Sequence, residues 1–221
     1  MNEITYNDIK NNDEINEYLE YSNECLRVLG FTEHGRRHGM LVANRARNIL
    51  KKLGYSKREA ELAAIAGYLH DIGNMINRND HSQIGALFTL NLLKNMDMPR
   101  REITTIISAI GNHDEEFGHP VNNVAAALIL ADKSDVHRSR VRNDDFATFD
   151  IHDRVNYAAQ HSCLNIFPKE GIISLNINID IEICPVIEYF EIFLSRMILC
   201  RRAANFLNCH FELIINNAKL L

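Results

Sequence analysis

Histidines and aspartates stand at specific places beside the apolar segments of this chain, which has ten histidines in 221 residues. His70 and Asp71 are adjacent, end an apolar stretch and are followed by Ile72-Gly73. Neighbouring helix residues differ by about 100° around the axis, so both side chains can reach one point near the helix end. His38 shares a predicted helix face with apolar residues, and Asp132 follows the most apolar segment of the chain. Burying a carboxylate there costs free energy unless a positive charge meets it.

Two further histidines share faces with apolar residues: His81 at the start of one predicted helix and His113 at the end of another. A single inward histidine is more often a hydrogen-bonded core residue, but six inward residues on five helices favour a shared site. Imidazole and carboxylate suit divalent iron, manganese, zinc or nickel better than calcium or copper(I). We therefore predict a transition-metal site with six candidate ligands: His38, His70, Asp71, His81, His113 and Asp132.

The order His38, His70-Asp71, Asp132 resembles the H…HD…D signature of the HD superfamily of metal-dependent phosphohydrolases, over roughly residues 30–142. The segment from His81 to Gly85 and the segment from Asn112 to Glu115 resemble the additional ligands of its two-metal members. Those members include the HD-GYP cyclic-dinucleotide phosphodiesterases and the HD hydrolases of dinucleoside polyphosphates.

The resemblance implies one or two divalent ions of iron, manganese, zinc, nickel or cobalt. One ion would be held by His38, His70, Asp71 and Asp132, and Asp71 would bridge to a second held by His81 and His113. The chain departs from HD-GYP proteins at Asn74, where they usually have lysine, and at Gly118-His119-Pro120, which replaces Gly-Tyr-Pro. These departures argue against cyclic di-GMP as the substrate.

The residues beside these candidate ligands suggest how a phosphate could be bound and cleaved. Two metal ions clamp a phosphate and lower the pKa of a bridging water, so we predict in-line attack by a metal-activated hydroxide. We predict Asp71 and Lys133 as catalytic residues, with Lys133 neutralising or protonating the leaving oxygen. We predict Arg37, Lys133, Asp135 and Arg138 as substrate-binding residues. The alternative for Lys133, Asp135 and Arg138 is a surface helix end carrying salt bridges.

The composition, 46% apolar and 24% charged, is that of a soluble globular chain, and its net charge is −5. Residues 36–58 contain eight lysines or arginines and no acid. A local basic stretch beside the site, in a chain that is acidic overall, fits a small phosphorylated substrate better than a nucleic-acid polymer. The absence of a long apolar run predicts no membrane span, and five cysteines without a C-x-x-C pair indicate a reducing, cytoplasmic location. The sequence leaves open whether the protein forms a homodimer.

Helices must position these residues. The apolar periodicity predicts helices over residues 8–29, 32–53, 57–71, 80–96, 99–111 and 121–138. After about residue 150 it predicts strands over 161–167 and 172–180, a helix over 185–207 and a strand over 211–215. We therefore predict a mainly α fold in which an HD-type helical bundle, residues 1–150, carries a small C-terminal β-β-α-β subdomain, residues 151–221.

These observations predict a metal-dependent phosphohydrolase that acts on a phosphate ester or phosphoanhydride of a nucleotide or similar small molecule. One alternative is an HD-type nucleotide-binding signalling module with weak or no catalysis, motivated by Asn74 and by the C-terminal segment. A second alternative is an oxygenase with a mixed-valence di-iron pair on the same ligands.

Overall fold

The computed structural model describes residues 3–221. Seven α-helices form its N-terminal part: α1 (Tyr6–Lys10), α2 (Asp13–Val28), α3 (Arg36–Lys52), α4 (Lys57–Leu69), α5 (His81–Asn95), α6 (Arg100–Gly111) and α7 (Asn123–Lys133). The C-terminal part contains α8 (Ile151–Ala158), β1 (Ala159–Phe167), β2 (Ile172–Ile179), α9 (Val186–Phe206), β3 (His210–Ile215) and β4 (Ala218–Lys219). Short 3-10 helices lie at Ile72–Met75, Arg138–Arg140 and Phe146–Thr148. The predicted fold class, mainly α with a small C-terminal sheet, is confirmed.

Helix α7 is the centre of the N-terminal core. Every side chain from Val124 to Ala131 is buried, as the apolar sequence of this segment requires. Helix α7 packs against α3, α4 and α6, and α3 and α4 pack closely on each other. This arrangement holds the ends of the four helices in fixed relative positions. Within residues 3–221, no helix combines the length and hydropathy needed to cross a membrane.

Helix boundaries follow local capping more closely than apolar periodicity. The predicted helix over residues 8–29 is wrong as a single element, because the Asn12 side chain accepts a hydrogen bond from Ile15 N at 3.1 Å and starts α2 afresh. Ser56 and Glu59 form a capping box at the start of α4. At the start of α5, Asp80 adopts a left-handed backbone (φ 58°) and its side chain makes no capping hydrogen bond.

The C-terminal sheet has the strand order β1-β2-β3-β4. Strands β1 and β2 form an antiparallel hairpin, β2 and β3 are parallel and joined by α9, and β4 adds a short antiparallel strand. Helix α8 and strand β4 were not predicted. Helix α9 packs on α7, and Ser162 Oγ in β1 donates to the Ser134 carbonyl at 2.6 Å. The C-terminal segment therefore contacts the helix that ends at Asp132 and Lys133.

Gly73 allows the turn after α4 to approach the start of α5. A Cβ atom at this position would overlap the carbonyl oxygen of His81 and lie 2.6 Å from Gly85 N. The 3-10 helix Ile72–Met75 can therefore lie directly against α5 only with glycine at this position. This contact brings Asp71 and His81 to the same place.

We expect Gly73→Ala to lower the free energy of unfolding by about 2–3 kcal/mol, because backbone atoms on both sides must move to make room. Urea denaturation measures the change. Gly111→Ala is the matched control, since its Cβ would meet only the Ala86 Cβ at 3.7 Å, and it should change stability by less than about 1 kcal/mol. Equal effects of the two substitutions would contradict the packing argument.

Candidate metal centre

Four side-chain atoms from α3, α7 and the end of α4 converge on one point. The distance from His38 Nε2 is 3.2 Å both to His70 Nε2 and to Asp132 Oδ1, and His70 Nε2 lies 3.2 Å from Asp71 Oδ2. The His38–Asp71 and His70–Asp132 distances between the same atoms are 3.6 Å. Ligand atoms around one first-row metal ion, with bonds of about 2.0–2.2 Å, have this spacing.

A second set of ligand atoms adjoins the first. His81 Nε2 lies 3.2 Å from His113 Nε2 and 3.6 Å from Asp71 Oδ1. The Asp71 carboxylate therefore stands between the two sets, with Oδ2 toward His38 and His70 and Oδ1 toward His81. The sets are close, because ligand atoms of His70, His113 and Asp132 also lie within 4.8 Å of one another.

Each candidate ligand comes from the end of a helix. The six residues occupy the first turn of α3 (His38), the C-cap of α4 (His70), the next residue (Asp71), the first position of α5 (His81), the turn after α6 (His113) and the last turn of α7 (Asp132). Helix ends are fixed by the packed bundle, so the ligands keep their positions without relying on long loops. The structure thus brings together all six residues that the sequence predicted as metal ligands.

The other ring nitrogen of each histidine is already hydrogen-bonded. His38 Nδ1 donates to Asp135 Oδ2 at 2.8 Å. The Nδ1 atoms of His70, His81 and His113 donate to backbone carbonyls three residues earlier in the chain, at 2.8, 3.1 and 2.6 Å. A neutral imidazole that donates from Nδ1 has its lone pair on Nε2. These contacts therefore aim four Nε2 lone pairs at the cluster, which is how histidine ligands are oriented in metal sites.

Lone pairs that face each other at this distance require a positive charge between them. The His38 and His70 Nε2 atoms are 3.2 Å apart, and so are those of His81 and His113. Since both members of each pair use Nδ1 as a donor, two neutral rings would place electron pairs in direct opposition. A bound cation or a shared proton removes this repulsion.

The carboxylates impose the same requirement. Asp71 Oδ2 is buried and has no hydrogen-bond partner within residues 3–221. Burial disfavours protonation of His70, yet the carboxylates of Asp71 and Asp132 outweigh it and raise the pKa of His70 to about 10. The geometry and the charge of the donor set therefore both fit a divalent cation.

On the side away from His38, the Asp132 carboxylate begins a chain of ion pairs. Lys133 Nζ lies 2.7 Å from Asp132 Oδ2 and 2.8 Å from Glu115 Oε2, and Glu115 Oε1 accepts from Arg196 Nε at 2.8 Å. Burial alone would lower the pKa of Lys133, but the two carboxylates raise it above its usual value. Lys133 therefore stays protonated and leaves Asp132 Oδ1 facing His38.

Asp135 and Arg37 lie beside the first set rather than on a cavity next to it. The buried Asp135 carboxylate accepts from His38 Nδ1 at 2.8 Å and from Arg37 Nη2 at 3.0 Å, and Arg37 also pairs with Glu33 at 2.7 Å. These contacts hold the His38 ring in place. They do not support the prediction that Asp135 and Arg37 bind substrate.

Arg138 also lies outside the cluster. Helix α7 ends at Lys133 instead of residue 138, so Arg138 falls on a separate 3-10 helix, with its guanidinium carbon 5.3 Å from the centre of the Tyr157 ring. The helix predicted over residues 121–138, which placed Arg138 on the same helix as Asp132, is therefore too long. The basic stretch 36–58 likewise makes structural contacts: Arg45, Arg47 and Arg58 donate to Ser134, Glu61 and Glu102, respectively.

Two cavities lie near the cluster: one is lined by the candidate ligand His81, and the other by Arg78, whose Nη1 lies 4.0 Å from Asp71 Oδ1. The α5 cavity, about 250 Å³, is lined by residues that include His81, Asp114 and Phe117. The α9 cavity, about 400 Å³, is lined by residues that include His34, Arg140, Phe193 and Arg196. Arg78 and Glu115 line both cavities. The cluster thus has two adjoining spaces that share one arginine and one glutamate.

Arg78, Arg140 and Arg196 line these cavities and were not predicted from the sequence. Arg78 carried a signal, because it is the one basic residue between His70-Asp71 and His81. Asn74 connects it to the cluster: Asn74 Nδ2 donates to Asp71 Oδ1 at 3.0 Å, and Asn74 Oδ1 accepts from Arg78 Nη1 at 3.2 Å. Arg196 lies in an apolar helix far along the chain, and its spacing gave no comparable signal.

We expect Asp71→Ala to remove metal from both sets, because its two oxygens face different groups of ligands. His113→Ala should remove metal mainly from the second set. Elemental analysis after desalting gives metal per chain for each variant, and the melting temperature should fall in step with the lost metal. Occupancy unchanged in Asp71→Ala would refute the shared position of this carboxylate.

We expect Asp135→Asn to weaken metal binding by about 10- to 100-fold, because His38 Nδ1 loses its charged acceptor. Competition with a chelator of known affinity measures the change. Asp144→Asn is the matched control, since it removes the same charge from an exposed residue nine positions away and should leave affinity unchanged. The orienting role of Asp135 is wrong if both variants behave alike.

Comparison with known proteins adds two findings. Residues 36–137 match the family model described as HD domain. The chain is also 26% identical to an uncharacterized protein of Methanocaldococcus jannaschii, in an alignment that covers 63% of this chain and 62% of that protein, less than two thirds of its length. The matched segment contains all six clustered residues.

Proposed function

We propose that the protein is a metal-dependent phosphohydrolase that cleaves a phosphate ester or phosphoanhydride of a nucleotide or similar small molecule. The observation that carries the proposal is the Asp71 carboxylate, buried between two sets of imidazoles, with one oxygen toward each. The HD-domain match of residues 36–137 supports the same class of chemistry.

His38, His70, Asp71 and Asp132 would hold one divalent ion, and Asp71, His81 and His113 would hold a second. When bound, such ions lower the pKa of a coordinated water and polarise phosphate oxygens. The two-ion arrangement is part of the proposal, and its support is that Asp71 Oδ1 and Oδ2 approach different histidines at 3.6 and 3.2 Å.

Lys133 would act through its charge. Its Nζ is held between Asp132 and Glu115, and both carboxylates raise its pKa, so it does not readily release a proton. We therefore assign to Lys133 the stabilisation of Asp132 and of negative charge that develops at the phosphate. Of the two roles predicted for Lys133, neutralising or protonating the leaving oxygen, this assignment keeps the first.

The adjoining cavities favour a small substrate. Volumes of about 250 and 400 Å³ are of the size that encloses a metabolite rather than a polymer. Phe31 and Phe193 line the α9 cavity together with arginines, which gives both apolar and charged contacts. A phosphorylated molecule with a planar or apolar group is the kind of ligand that such walls bind.

The experiment is a turnover assay on a panel of nucleotides and phosphodiesters with manganese, iron, nickel or cobalt supplied. We expect release of phosphate or of a phosphorylated product by the wild-type protein. Asp71→Asn should lower kcat by at least about 10³-fold, because several kcal/mol of charge stabilisation disappear with the shared carboxylate.

The same preparation separates the alternatives. Tight nucleotide binding without product after long incubation would replace hydrolysis with a signalling role. Oxygen consumption with a polyol or phosphonate would indicate oxygenase chemistry. Protein that neither retains metal nor converts any compound of the panel would overturn the proposal.

A further inference from the structure

We propose that Arg196 of α9 and Arg78 form a subsite for a second, uncleaved phosphate group of the substrate, at the inner end of the α9 cavity. The inference rests on the proposed hydrolysis of a phosphate compound and names the substrate class: molecules with a further phosphate near the one that reacts. Arg196 lies outside the segment that matches the HD domain.

Two guanidinium nitrogen atoms of Arg196 are available to donate hydrogen bonds to a ligand. Its Nε atom donates to Glu115 Oε1 at 2.8 Å, while Nη1 and Nη2 make no hydrogen bond to other atoms of residues 3–221. The side chain is 20% exposed and lines the α9 cavity, with its guanidinium carbon 4.4 Å from the centre of the Phe193 ring. The ion pair and the ring fix the guanidinium, so its free edge is available for the paired oxygens of a phosphate.

Arg78 supplies a second cation next to the cluster. Its Nη1 atom donates to Asn74 Oδ1 at 3.2 Å and lies 4.0 Å from Asp71 Oδ1, which places this arginine beside the shared carboxylate. Its Nε and Nη2 atoms make no hydrogen bond within the described chain. A phosphate that contacts both Arg78 and Arg196 would therefore lie next to the phosphate at the cluster.

The remaining charges of the cavity distinguish its inner end from its rim. Glu115 pairs with Lys133, which contacts Asp132, so Glu115 marks the end of the cavity nearest the cluster, and its charge is already balanced by Lys133 and Arg196. Asp150 and Asp153 line the cavity from the start of α8, and the Asp150 side chain is 63% exposed, which places it at the solvent-facing rim. A compact group with one or two phosphates fits this distribution, whereas a long polyanion would meet the acids.

Arg140 also lines this cavity, but its donors are already used in hydrogen bonds to backbone carbonyls. Its Nε and Nη2 atoms donate to the Glu33 carbonyl at 3.1 and 3.0 Å, and its Nη1 atom donates to the Asp135 carbonyl at 2.8 Å. These bonds tie the segment after α7 to the segment before α3. Arg140 is therefore a structural residue that adds positive potential, and the direct contacts fall to the other two arginines.

The experiment compares one phosphonate with two. Binding of methylphosphonate and of methylenediphosphonate is measured by calorimetry at a fixed manganese concentration in both cell and syringe, for the wild type, Arg196→Gln and Arg78→Gln. Arg201→Gln is the matched control, because it removes the same charge from an exposed position of the same helix. Neither ligand can be hydrolysed, so the result does not depend on turnover.

We expect the wild type to prefer the diphosphonate, and each cavity variant to bind it about 10- to 100-fold more weakly, with methylphosphonate changed less than threefold. Arg201→Gln should leave both affinities unchanged. Arg196→Lys keeps a charge near Glu115 without the planar fork, and we expect an intermediate loss. If Arg196→Gln unfolds at a markedly lower temperature, Arg196→Lys still tests whether Arg196 binds the second phosphonate group.

Equal binding of the two phosphonates by the wild type, or equal loss of both in the cavity variants, would overturn the subsite. Failure of the proposed function gives a different result: the arginine-dependent preference for diphosphonate would persist in a protein that converts no phosphate compound. Turnover with no such preference would instead leave hydrolysis standing and remove the subsite alone.

Discussion

Repulsion among converging ligand atoms is the constraint on which the rest of this structure depends. Four imidazole lone pairs and two carboxylates meet in a buried volume, and their nearest approaches are 3.2 Å. Left to themselves these groups would separate or take up protons. The packed ends of the helices prevent the separation, and so the site keeps a high affinity for positive charge. The capacity of the site to hold a cation therefore depends on the packing of the bundle.

The residues that contact the candidate ligands support this arrangement, although they do not themselves reach the centre of the cluster. Asp135 holds His38, three backbone carbonyls hold the other histidines, and Lys133 holds the far oxygen of Asp132. Helix α9 extends this layer through Arg196 and Glu115, so the C-terminal segment touches the site as well as the core. That residues 151–221 form a separate domain stays a prediction. Their contacts with α7, and the hydrogen bond from Arg196 to Glu115, place them next to the candidate metal centre.

The sequence predicted which residues point inward, but it did not predict the hydrogen-bond partners that hold these residues in place. Apolar neighbours reveal the inward faces at His38, His113 and Asp132, because helical periodicity is local. The contact between His38 and Asp135 joins positions 97 apart, and nothing in the sequence around Asp135 indicates that its carboxylate orients His38. The helix predicted over residues 121–138 placed Arg138 on α7, whereas the helix ends at Lys133, so the position of Arg138 differs from the one that its predicted role assumed.

Helix α9 has a consequence for biosynthesis. A chain emerging from the ribosome releases the segment with all six clustered residues well before Phe193 and Arg196, which line the α9 cavity. Until α9 docks, Glu115 lacks one of its two cations and the apolar surface of α7 that α9 covers is open to water. The nascent protein can thus assemble its ligands early, while the complete cavity wall forms only after the last quarter of the chain has begun to fold.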